Sequence, residues 1–415
     1  ILPYSTGNRH PRWFGWVHGT GTVEGALAEL VAAFMNCNVG GREHAAVYVE
    51  RQVVRWLADL FGFPQGSSGL LVSGTSVATI VGLAVARESV APGEVRKGGI
   101  TAAPGPLITY AADGAHVSIR KALELLGLGS DSLRQVPADL VSGLDPGALQ
   151  EMIDADRRAG LHPFCVVGTA GSVTTGAIDD LAALADLCGR EGLWLHVDAA
   201  FGGALMLSHR LRHRLDGIER ADSLAFDLHK WMHVPYDAGC VLVRDAEAHR
   251  ATFSADRNYL GRFERGTGAG DPWFTDFGPE LSRGFRALKV WVTLRTHGLD
   301  RLGEMVEKNC EQAAWLADRL SDRDGWELAA PTSLNIVCFR AEAPPGSAVD
   351  EDSLNREIVM RIQESGAAVP STAEIDGRLC IRVAIANHRT RREDLDVFLQ
   401  AVQAERAEIL AEEES

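Results

Sequence analysis

The chain has 415 residues, too many for one ordinary hydrophobic core and about right for a large domain with a smaller one beside it. Its composition is that of a globular protein, with 46% hydrophobic and 23% charged residues. The formal net charge of −15, without a dense Lys/Arg run, argues against nucleic-acid binding, and the apolar stretches are far shorter than a membrane span.

Seven cysteines are scattered singly through the chain, and none forms a Cys-x-x-Cys pair. An odd, unpatterned set favours reduced thiols over a disulfide framework or a zinc site. The sequence therefore predicts a cytoplasmic protein without a bound metal. Because the first residue is Ile1, we expect the N-terminal segment to be incomplete, so that a targeting signal would not be visible.

Between about residues 69 and 245, short apolar runs alternate with stretches of helical spacing. The runs, in chain order, are GLLVSG, PLITYAADGA, HPFCVVGTAG, LWLHVDAA, SLAFD and AGCVLVRD. Alternation of apolar strands with helices predicts an α/β domain with a mainly parallel sheet. Ligands of such sheets bind at the carboxyl ends of the strands.

The second half of the chain changes in character. Residues 251–282 are rich in glycine and charge, which is typical of a surface loop, and a long amphipathic helical pattern with a Gly-Leu-Asp break follows. The last hundred residues mix helices with the runs LNIVCFR and LCIRVAI. We predict an N-terminal segment over 1–44, a large α/β domain over 45–310 and a small α+β domain over 311–415.

Four groups that could bind a ligand or take part in catalysis follow the predicted strands. Lys230 and Asp198 end two of them, His116 opens a helix after a third, and the small-residue turn Ser73–Ser76 joins the first strand to its helix. Such a turn can bind a phosphate through free N–H groups and hydroxyls. An amine, a buried carboxylate, a flat imidazole and a phosphate site match the requirements of pyridoxal 5′-phosphate (PLP), and Ala200 is small enough to pack on its ring.

These residues lie in motifs that resemble a known family. HVDAAFGG, followed by LHKWM, is similar to the group II PLP-dependent decarboxylases of fold type I, which include the aromatic-L-amino-acid, histidine and glutamate decarboxylases. HPRWFGWVHGTGT, LVSGTSVAT, GAHVSIRKA and SRGFRALKVW resemble further family motifs in the family's order. The resemblance implies a large domain with a mainly parallel seven-stranded sheet flanked by helices, and a small C-terminal α+β domain.

The resemblance also implies an obligate homodimer with a composite active site, in which residues 1–44 pack at the dimer interface. Lys230 would form the Schiff base with the cofactor, Asp198 would pair with the pyridinium nitrogen, and His116 would stack on the ring. The implied cofactor contacts are Gly74, Thr75, Ser76, His116, Asp198, Ala200, Asp227, His229, Lys230 and Ser282. The implied substrate contacts are Phe14, Trp16, Val17, His18, Asn36, Asn38 and His229.

The reaction predicted by the resemblance depends on Tyr259, in the Gly-rich segment. In the family, a tyrosine on this loop reaches the partner's active site and protonates the substrate Cα after CO₂ has left. Relatives with phenylalanine there form aldehydes by oxidative deamination. Tyr259, as the fourth implied catalytic residue beside Lys230, Asp198 and His116, therefore favours simple decarboxylation to an amine, which makes the chain a carboxy-lyase.

Some positions depart from the family pattern. Asp227 replaces the usual Asn-Pro, and we expect its carboxylate to turn away from the phosphate or to accept backbone N–H bonds. Ser172 and Val173 stand where relatives often have two threonines, and His18 replaces a residue that is usually apolar. The favoured substrate is an aromatic L-amino acid. The alternatives are an acidic or other polar amino acid as the substrate, an aldehyde-forming deaminase, an aminotransferase or desulfurase, and a catalytically inactive PLP-binding scaffold.

Two further patterns are ambiguous. Arg382 could bind a carboxylate or could form a structural salt bridge. His209 and His213 have the i, i+4 spacing of a metal pair, but arginines are interleaved with them, which favours an exposed face.

Overall fold

The computed structural model describes residues 4–254, 263–345, 347 and 349–413. Its helices are α1 Val23–Met35, α2 Ala45–Leu60, α3 Thr75–Val90, α4 Glu94–Gly98, α5 Val117–Leu125, α6 Pro146–Arg158, α7 Leu181–Glu191, α8 Ala246–Phe253, α9 Arg286–Ser321, α10 Glu351–Ser365 and α11 Arg392–Glu413. Its strands are β1 Ser68–Val72, β2 Leu107–Ala112, β3 Leu133–Val136, β4 Ala138–Asp139, β5 Gly143–Leu144, β6 His162–Thr169, β7 Trp194–Asp198, β8 Ser223–Asp227, β9 Gly239–Val243, β10 Trp326–Leu328, β11 Ile336–Ala341, β12 Ser371–Ile375 and β13 Arg378–Ala384.

The main sheet has seven strands in the order β1-β9-β8-β7-β6-β2-β3. Only β9 runs antiparallel to its neighbours, so β1, β2, β6, β7 and β8 all point the same way. Every residue of β1, β2, β8 and β9 is buried, as expected for a sheet covered by helices on both faces. The predicted α/β fold with a mainly parallel seven-stranded sheet is confirmed, and the carboxyl ends of its parallel strands meet at one edge.

Helix boundaries follow capping residues that the sequence contains. The Asp145 carboxylate accepts the N–H groups of Gly147 and Ala148 at the start of α6, and Asp180 caps α7 in the same way. At its other end α7 stops at Gly192, whose φ of 68° is accessible to glycine at little cost. This turn leads the chain directly into β7 and places Asp198 at the site edge.

A second sheet, with the antiparallel order β10-β11-β13-β12, forms the smaller unit together with α10 and α11. Helix α9 has the predicted break at Gly298 and joins the two units. Residues up to Val306 pack in the core of the large unit, and residues from Ala313 onward pack in the core of the small one. The domain boundary at residues 310 and 311 stays a prediction, because a continuous helix crosses it.

Three chemical features of the described chain bear on function. No helix in the described ranges is both long and apolar enough to cross a membrane. All seven cysteines are free. Within the same ranges, no cluster of three or more His, Cys, Asp or Glu side chains has a metal-binding arrangement.

Candidate active site

A cavity of about 450 Å³ lies at the carboxyl edge of the main sheet. It brings together residues that are far apart in sequence and that come from three sources: the opening segment, the strand ends, and the first turns of α3 and α5. The lining residues are Trp16, Val17, His18, Ser73, Gly74, Thr75, Ser76, Val77, His116, Ser118, Val173, Ala200, Asp227, His229, Lys230 and Tyr236.

Asp198 is the last residue of β7, and only 5% of its surface is exposed. Its Oδ1 accepts a hydrogen bond from the Ala200 N–H at 3.0 Å. Burial raises the pKa of the Asp198 carboxyl, while the positive charge of Lys230 acts in the opposite direction. A nearby positive charge stabilises the ionised form of a buried carboxylate, and the protonated ring nitrogen of a pyridinium would supply that charge.

Lys230 lies in the turn that follows β8, and its Nζ is 3.1 Å from Oδ2 of Asp227. The opening segment packs closely on this turn. A Cβ at Gly19 would lie 1.6 Å from the carbonyl oxygen of His229, so only glycine fits there. The backbone of the lysine turn is therefore held between β8 and the opening segment. The Lys230 side chain lines the cavity and is 23% exposed.

Asp227 ends β8, and its side chain is 4% exposed. Its Oδ1 accepts the Thr75 N–H at 2.7 Å, which confirms the expectation that this carboxylate would accept backbone N–H bonds. Its other oxygen pairs with Lys230, a contact that sequence reasoning missed. The three-residue spacing within a turn could have suggested that pair.

The predicted phosphate turn joins β1 to the 16-residue helix α3. A Cβ at Gly239, on β9, would lie 2.4 Å from the Cα of Gly74, so two glycines allow the strands to bring this turn close to β8. The hydroxyl of Thr75 is buried and has no hydrogen-bond partner among the described residues. An unpartnered hydroxyl at a helix N-terminus, beside the exposed Ser76, fits a phosphate oxygen.

Three histidines line the cavity: His18, which belongs to the opening segment, His116 and His229. His116 is the N-cap of α5, and its Nδ1 accepts the Ser118 N–H and contacts the Ser118 hydroxyl at 2.7 Å. His229 is 6% exposed, and burial lowers its pKa, which favours the neutral imidazole. Its ring lies 4.2 Å from the ring of Tyr236, a cavity residue that sequence reasoning did not single out.

An aromatic wall forms the side of the cavity made by the opening segment. Trp16 and His18 stack with ring centroids 5.6 Å apart, and Tyr236 meets His18 edge-on at 6.4 Å. Burial, and then the charge of Lys230, lower the pKa of His18, so its imidazole is neutral at physiological pH. Trp16, Val17 and His18, which were predicted to contact the substrate, all line the cavity. Their contact with a substrate stays a prediction.

Phe14 does not line this cavity. It is fully buried in the core of the small unit, where its ring meets Phe398 edge-on at 5.5 Å. Its backbone explains the placement, because the Phe14 N–H donates to the Val369 carbonyl and its own carbonyl accepts the Ala384 N–H. Phe14 is therefore corrected from a substrate contact to a core residue.

Asp198 is buried behind the cavity and is not one of its lining residues, and three other predicted contacts also lie outside the cavity of this single chain. Asn36 is an exposed C-cap of α1 with φ of 47°. Asn38 uses its Oδ1 to accept the N–H groups of Gly40 and Arg283, which makes it a turn-forming residue. Ser282 is exposed in the segment before α9. Tyr259 lies outside the described residues.

The remaining predicted positions occupy one flank of the cavity or the surface. Ala200 and Val173 both line the cavity, whereas the Ser172 hydroxyl is directed to the Thr175 hydroxyl at 3.1 Å. His209 is 74% exposed, and its imidazole is 3.1 Å from the Asp300 carboxylate. An exposed His–Asp pair is the outcome expected of a surface rather than of a metal site.

The side chains in and around the cavity fit PLP in several respects. The amine and the carboxylate that the cofactor needs come from neighbouring parallel strands, β8 and β7. The unpartnered Thr75 hydroxyl and the helix N-terminus fit its phosphate, and His116 and Ala200 are available for the two ring faces. Stacking of His116 and contacts of the other site residues stay predictions.

Comparison with known proteins gives a consistent result. Residues 1–342 match the family model described as the pyridoxal-dependent decarboxylase conserved domain. The chain is 33% identical to an aromatic-L-amino-acid decarboxylase of Bacillus atrophaeus over 411 residues, which covers 98% of this chain and 82% of that one. It is 28% identical to a phenylacetaldehyde synthase of Arabidopsis thaliana, over 99% of this chain and 84% of the relative.

A solved structure is similar over nearly the whole chain. Oryza sativa TDC with PLP and tryptamine superposes with a TM-score of 0.89 at 29% identity, covering 99% of this chain and 86% of that one. The similarity includes both sheets, and it agrees with the fit of the cavity to PLP.

Proposed function

Because the chain belongs to the pyridoxal-dependent decarboxylase family and is a PLP-dependent amino acid decarboxylase, a carboxy-lyase, we propose that its substrate is an aromatic L-amino acid, which it converts to the amine and CO₂. The observation that carries this proposal is a cavity lined by Lys230 and by the Trp16–His18 aromatic wall, with the Asp198 carboxylate buried beside it at the end of β7 and bonded to the lining residue Ala200. The 33% identical relative named for aromatic substrates supports it.

We assign the following roles to the chain's own residues. Lys230 would hold the cofactor through its amine and would be displaced by the amine of the substrate. Asp198 would keep a proton on the ring nitrogen. When bound, PLP supplies an electron sink for the bond that releases CO₂. His116 covers one ring face, Thr75 binds phosphate, and the neutral His229 orients the substrate carboxylate. Gly74, Ser76, Ala200, Asp227 and Ser282 complete the proposed cofactor contacts.

The last step of the proposed reaction is protonation of the substrate Cα. We propose Tyr259 of the partner subunit as the donor, because a phenol of ordinary pKa keeps its proton at neutral pH and can transfer it after CO₂ has left. This role requires a second copy of the chain. Asn36 and Asn38, which lie away from the cavity of their own chain, also become candidates for the partner's pocket.

Helix α1 supports the proposed homodimer. One of its faces packs on α9, but Leu27, Leu30, Val31 and Phe34 expose between 50% and 82% of their surfaces. A contiguous apolar surface of this size is typical of a protein–protein interface. We therefore propose that α1 and the segment before it pack against a second copy. We also propose a cytoplasmic location, because all seven cysteines are free.

Two alternatives keep a specific basis. The unusual His18 adds a polar group to the aromatic wall, which favours a polar amino acid as the second candidate substrate. The aldehyde-forming relative shows that the scaffold is compatible with oxidative deamination in that protein. Tyr259 argues against that reaction here.

The experiment is a screen of the proteinogenic L-amino acids and DOPA for CO₂, amine, ammonia and peroxide with the PLP-loaded enzyme. We expect an aromatic substrate to give CO₂ and amine in equal amounts without peroxide. Lys230→Ala should abolish both the visible absorbance of bound cofactor and amine formation, whereas the exposed control Lys121→Ala should retain both. Peroxide in stoichiometric amounts, or turnover by Lys230→Ala, would contradict the proposal.

A further inference from the structure

Arg382 lies in β13 of the small sheet, with only 4% of its surface exposed. Its Nε donates to the carbonyl of Thr174 at 3.1 Å, and its Nη1 donates to the carbonyl of Trp16 at 3.1 Å and to the hydroxyl of Ser371 at 3.3 Å. In the described ranges, no carboxylate pairs with this guanidinium, and its Nη2 has no hydrogen-bond partner. Of the two alternatives that the sequence left open, the structural salt bridge is absent from this part of the chain, and binding of a substrate carboxylate stays a prediction.

One carbonyl group belongs to a residue that lines the cavity, and the other to the residue next to one. Trp16 lines the cavity on the side of the opening segment, and Thr174 directly follows Val173, which lines it on the side of β6. The two walls are separated by more than 150 residues of sequence and share no strand. Arg382 is thus a side chain of the small domain that bonds to both.

The backbone of Trp16 shows why this bond is needed. Its φ of 52° lies in the left-handed region, which is unfavourable for a bulky side chain. Such a conformation persists only where surrounding contacts determine it. The Trp16 N–H donates to the Ser371 hydroxyl at 3.4 Å while its carbonyl accepts from Arg382, so the small sheet holds both polar groups of this residue.

The chemistry of the guanidinium suits this task. Burial lowers the pKa of Arg382 to about 10, so the side chain stays protonated at neutral pH. Its donors are fixed in one plane, which allows it to hold two carbonyl groups at a set separation. A lysine carries one nitrogen and cannot make both bonds in the same geometry.

We propose that Arg382 is a positioning residue of the active site, which sets the separation of the Trp16 and Val173 walls between which the substrate side chain binds. The inference rests on the proposed function for the identity of the ligand. Arg382 acts through the two carbonyl groups, and it does not touch the reacting atoms.

Arg340 offers a matched control. It lies on the neighbouring strand β11, is 2% exposed, and also donates to a main-chain carbonyl, that of Leu379. It differs in having the carboxylates of Asp352 and Glu351 as partners, and it is not part of the cavity. Substitutions of Arg340 therefore report the structural cost of losing a buried arginine from this sheet.

The test compares Arg382→Lys and Arg382→Met with Arg340→Lys and Arg340→Met, all loaded with PLP. Thermal denaturation, kcat, KM for the best amino acid, and the dissociation constants of tyramine and tryptamine are measured. We expect Arg382→Lys to raise KM and the amine dissociation constants in parallel by about tenfold or more, with a smaller effect on kcat. The Arg340 variants should lower the denaturation temperature and change KM by less than about twofold.

Three outcomes would overturn or separate the two proposals. Weaker binding of the amino acid with unchanged amine binding would make Arg382 a carboxylate ligand and refute the positioning role. Equal thermal losses in both pairs with unchanged ligand binding would make it purely structural. The failure of the two proposals can be told apart, because titration with an amine needs no turnover. A wild type that releases no CO₂ would refute the proposed function. Loss of amine affinity in the Arg382 variants would still support the positioning role of Arg382.

Discussion

The Asp227 carboxylate has two close partners that can be separated, while the imidazole of His229 lies farther away, at 3.8 Å. Replacement of Asp227 by asparagine removes only one of the two close contacts. Its Oδ1 accepts the Thr75 N–H at 2.7 Å, and its Oδ2 pairs with Lys230 Nζ at 3.1 Å. Asparagine keeps an oxygen for Thr75 but loses the negative charge that faces the lysine. Alanine loses both contacts, so the two variants separate the charge of this residue from its hydrogen bond.

The expected magnitude follows from the ion pair. A hydrogen bond to a charged group contributes about 1.5–3 kcal/mol, and the lower end applies because 23% of the Lys230 side chain is exposed. The pair stabilises the apoenzyme. Lys230 would give up its ammonium charge in holding PLP, and the turn of Thr75 that contacts Asp227 would hold the phosphate, so the negative charge of Asp227 would oppose cofactor binding. Asp227→Asn should therefore destabilise the apoenzyme by about 1.5 kcal/mol and tighten PLP binding about tenfold.

The assay is chemical denaturation of the apoenzyme together with titration of PLP, followed by absorbance. Asp227→Ala should tighten PLP binding less than Asp227→Asn does, because it removes the same charge but also removes the acceptor that holds the main chain of the phosphate turn in place. Asp237→Asn is the control, since Asp237 is 45% exposed, pairs with Arg286 and does not line the cavity. The reasoning is refuted if Asp227→Asn binds PLP no more tightly than the wild type while the apoenzyme is destabilised.

Three further predictions concern assembly and stability. Phe34→Asp, at a residue 82% exposed on α1, should shift the proposed dimer to monomers in sedimentation and abolish turnover, whereas Met360→Asp on the small domain should do neither; a fully active monomer would contradict the proposed composite site. Glu50→Gln removes the carboxylate 2.5 Å from the buried guanidinium of Arg283 and leaves it the more exposed Glu280 at 3.9 Å, so the change should cost about 3–5 kcal/mol in urea denaturation; a loss below about 1 kcal/mol would show that the pair is dispensable. Burial lowers the pKa of His388 to about 4, so the folded state favours its neutral form, and stability should fall as the pH drops from about 6.5 through 4; His388→Asn should flatten this part of the profile, and parallel profiles would refute the assignment.

The sequence predicted the part of the site that parallel strands determine. Asp198 and Lys230 each follow an apolar run, and the carboxyl ends of adjacent parallel strands must meet at one edge of the sheet. Gly74 and Thr75 follow a third such run. Once the strands are read correctly, the relative placement of these residues follows from topology without any knowledge of side-chain contacts.

The residues that form the walls of the cavity could not be predicted from strand topology. In the run Trp13–Val17, Phe14 and Trp16 are equally plausible cavity residues by composition. The choice between them depends on main-chain bonds to Val369 and Ala384, which are more than 350 residues away. Arg382 was left open for a similar reason, because its partners are main-chain carbonyls, and a carbonyl group leaves no mark in the sequence.

The two halves of the site therefore depend on different parts of the fold. The proposed cofactor contacts lie on the main sheet and its helices, whereas Trp16 is bonded to β12 and β13 of the small sheet through Ser371 and Arg382. Gly19 joins the two halves, since its close approach to the His229 carbonyl fixes the opening segment against the lysine turn. A substitution in β13 should thus move the aromatic wall while Asp198 and the phosphate turn stay in place. We therefore expect substrate preference to change through residues of the small domain that do not themselves contact the substrate.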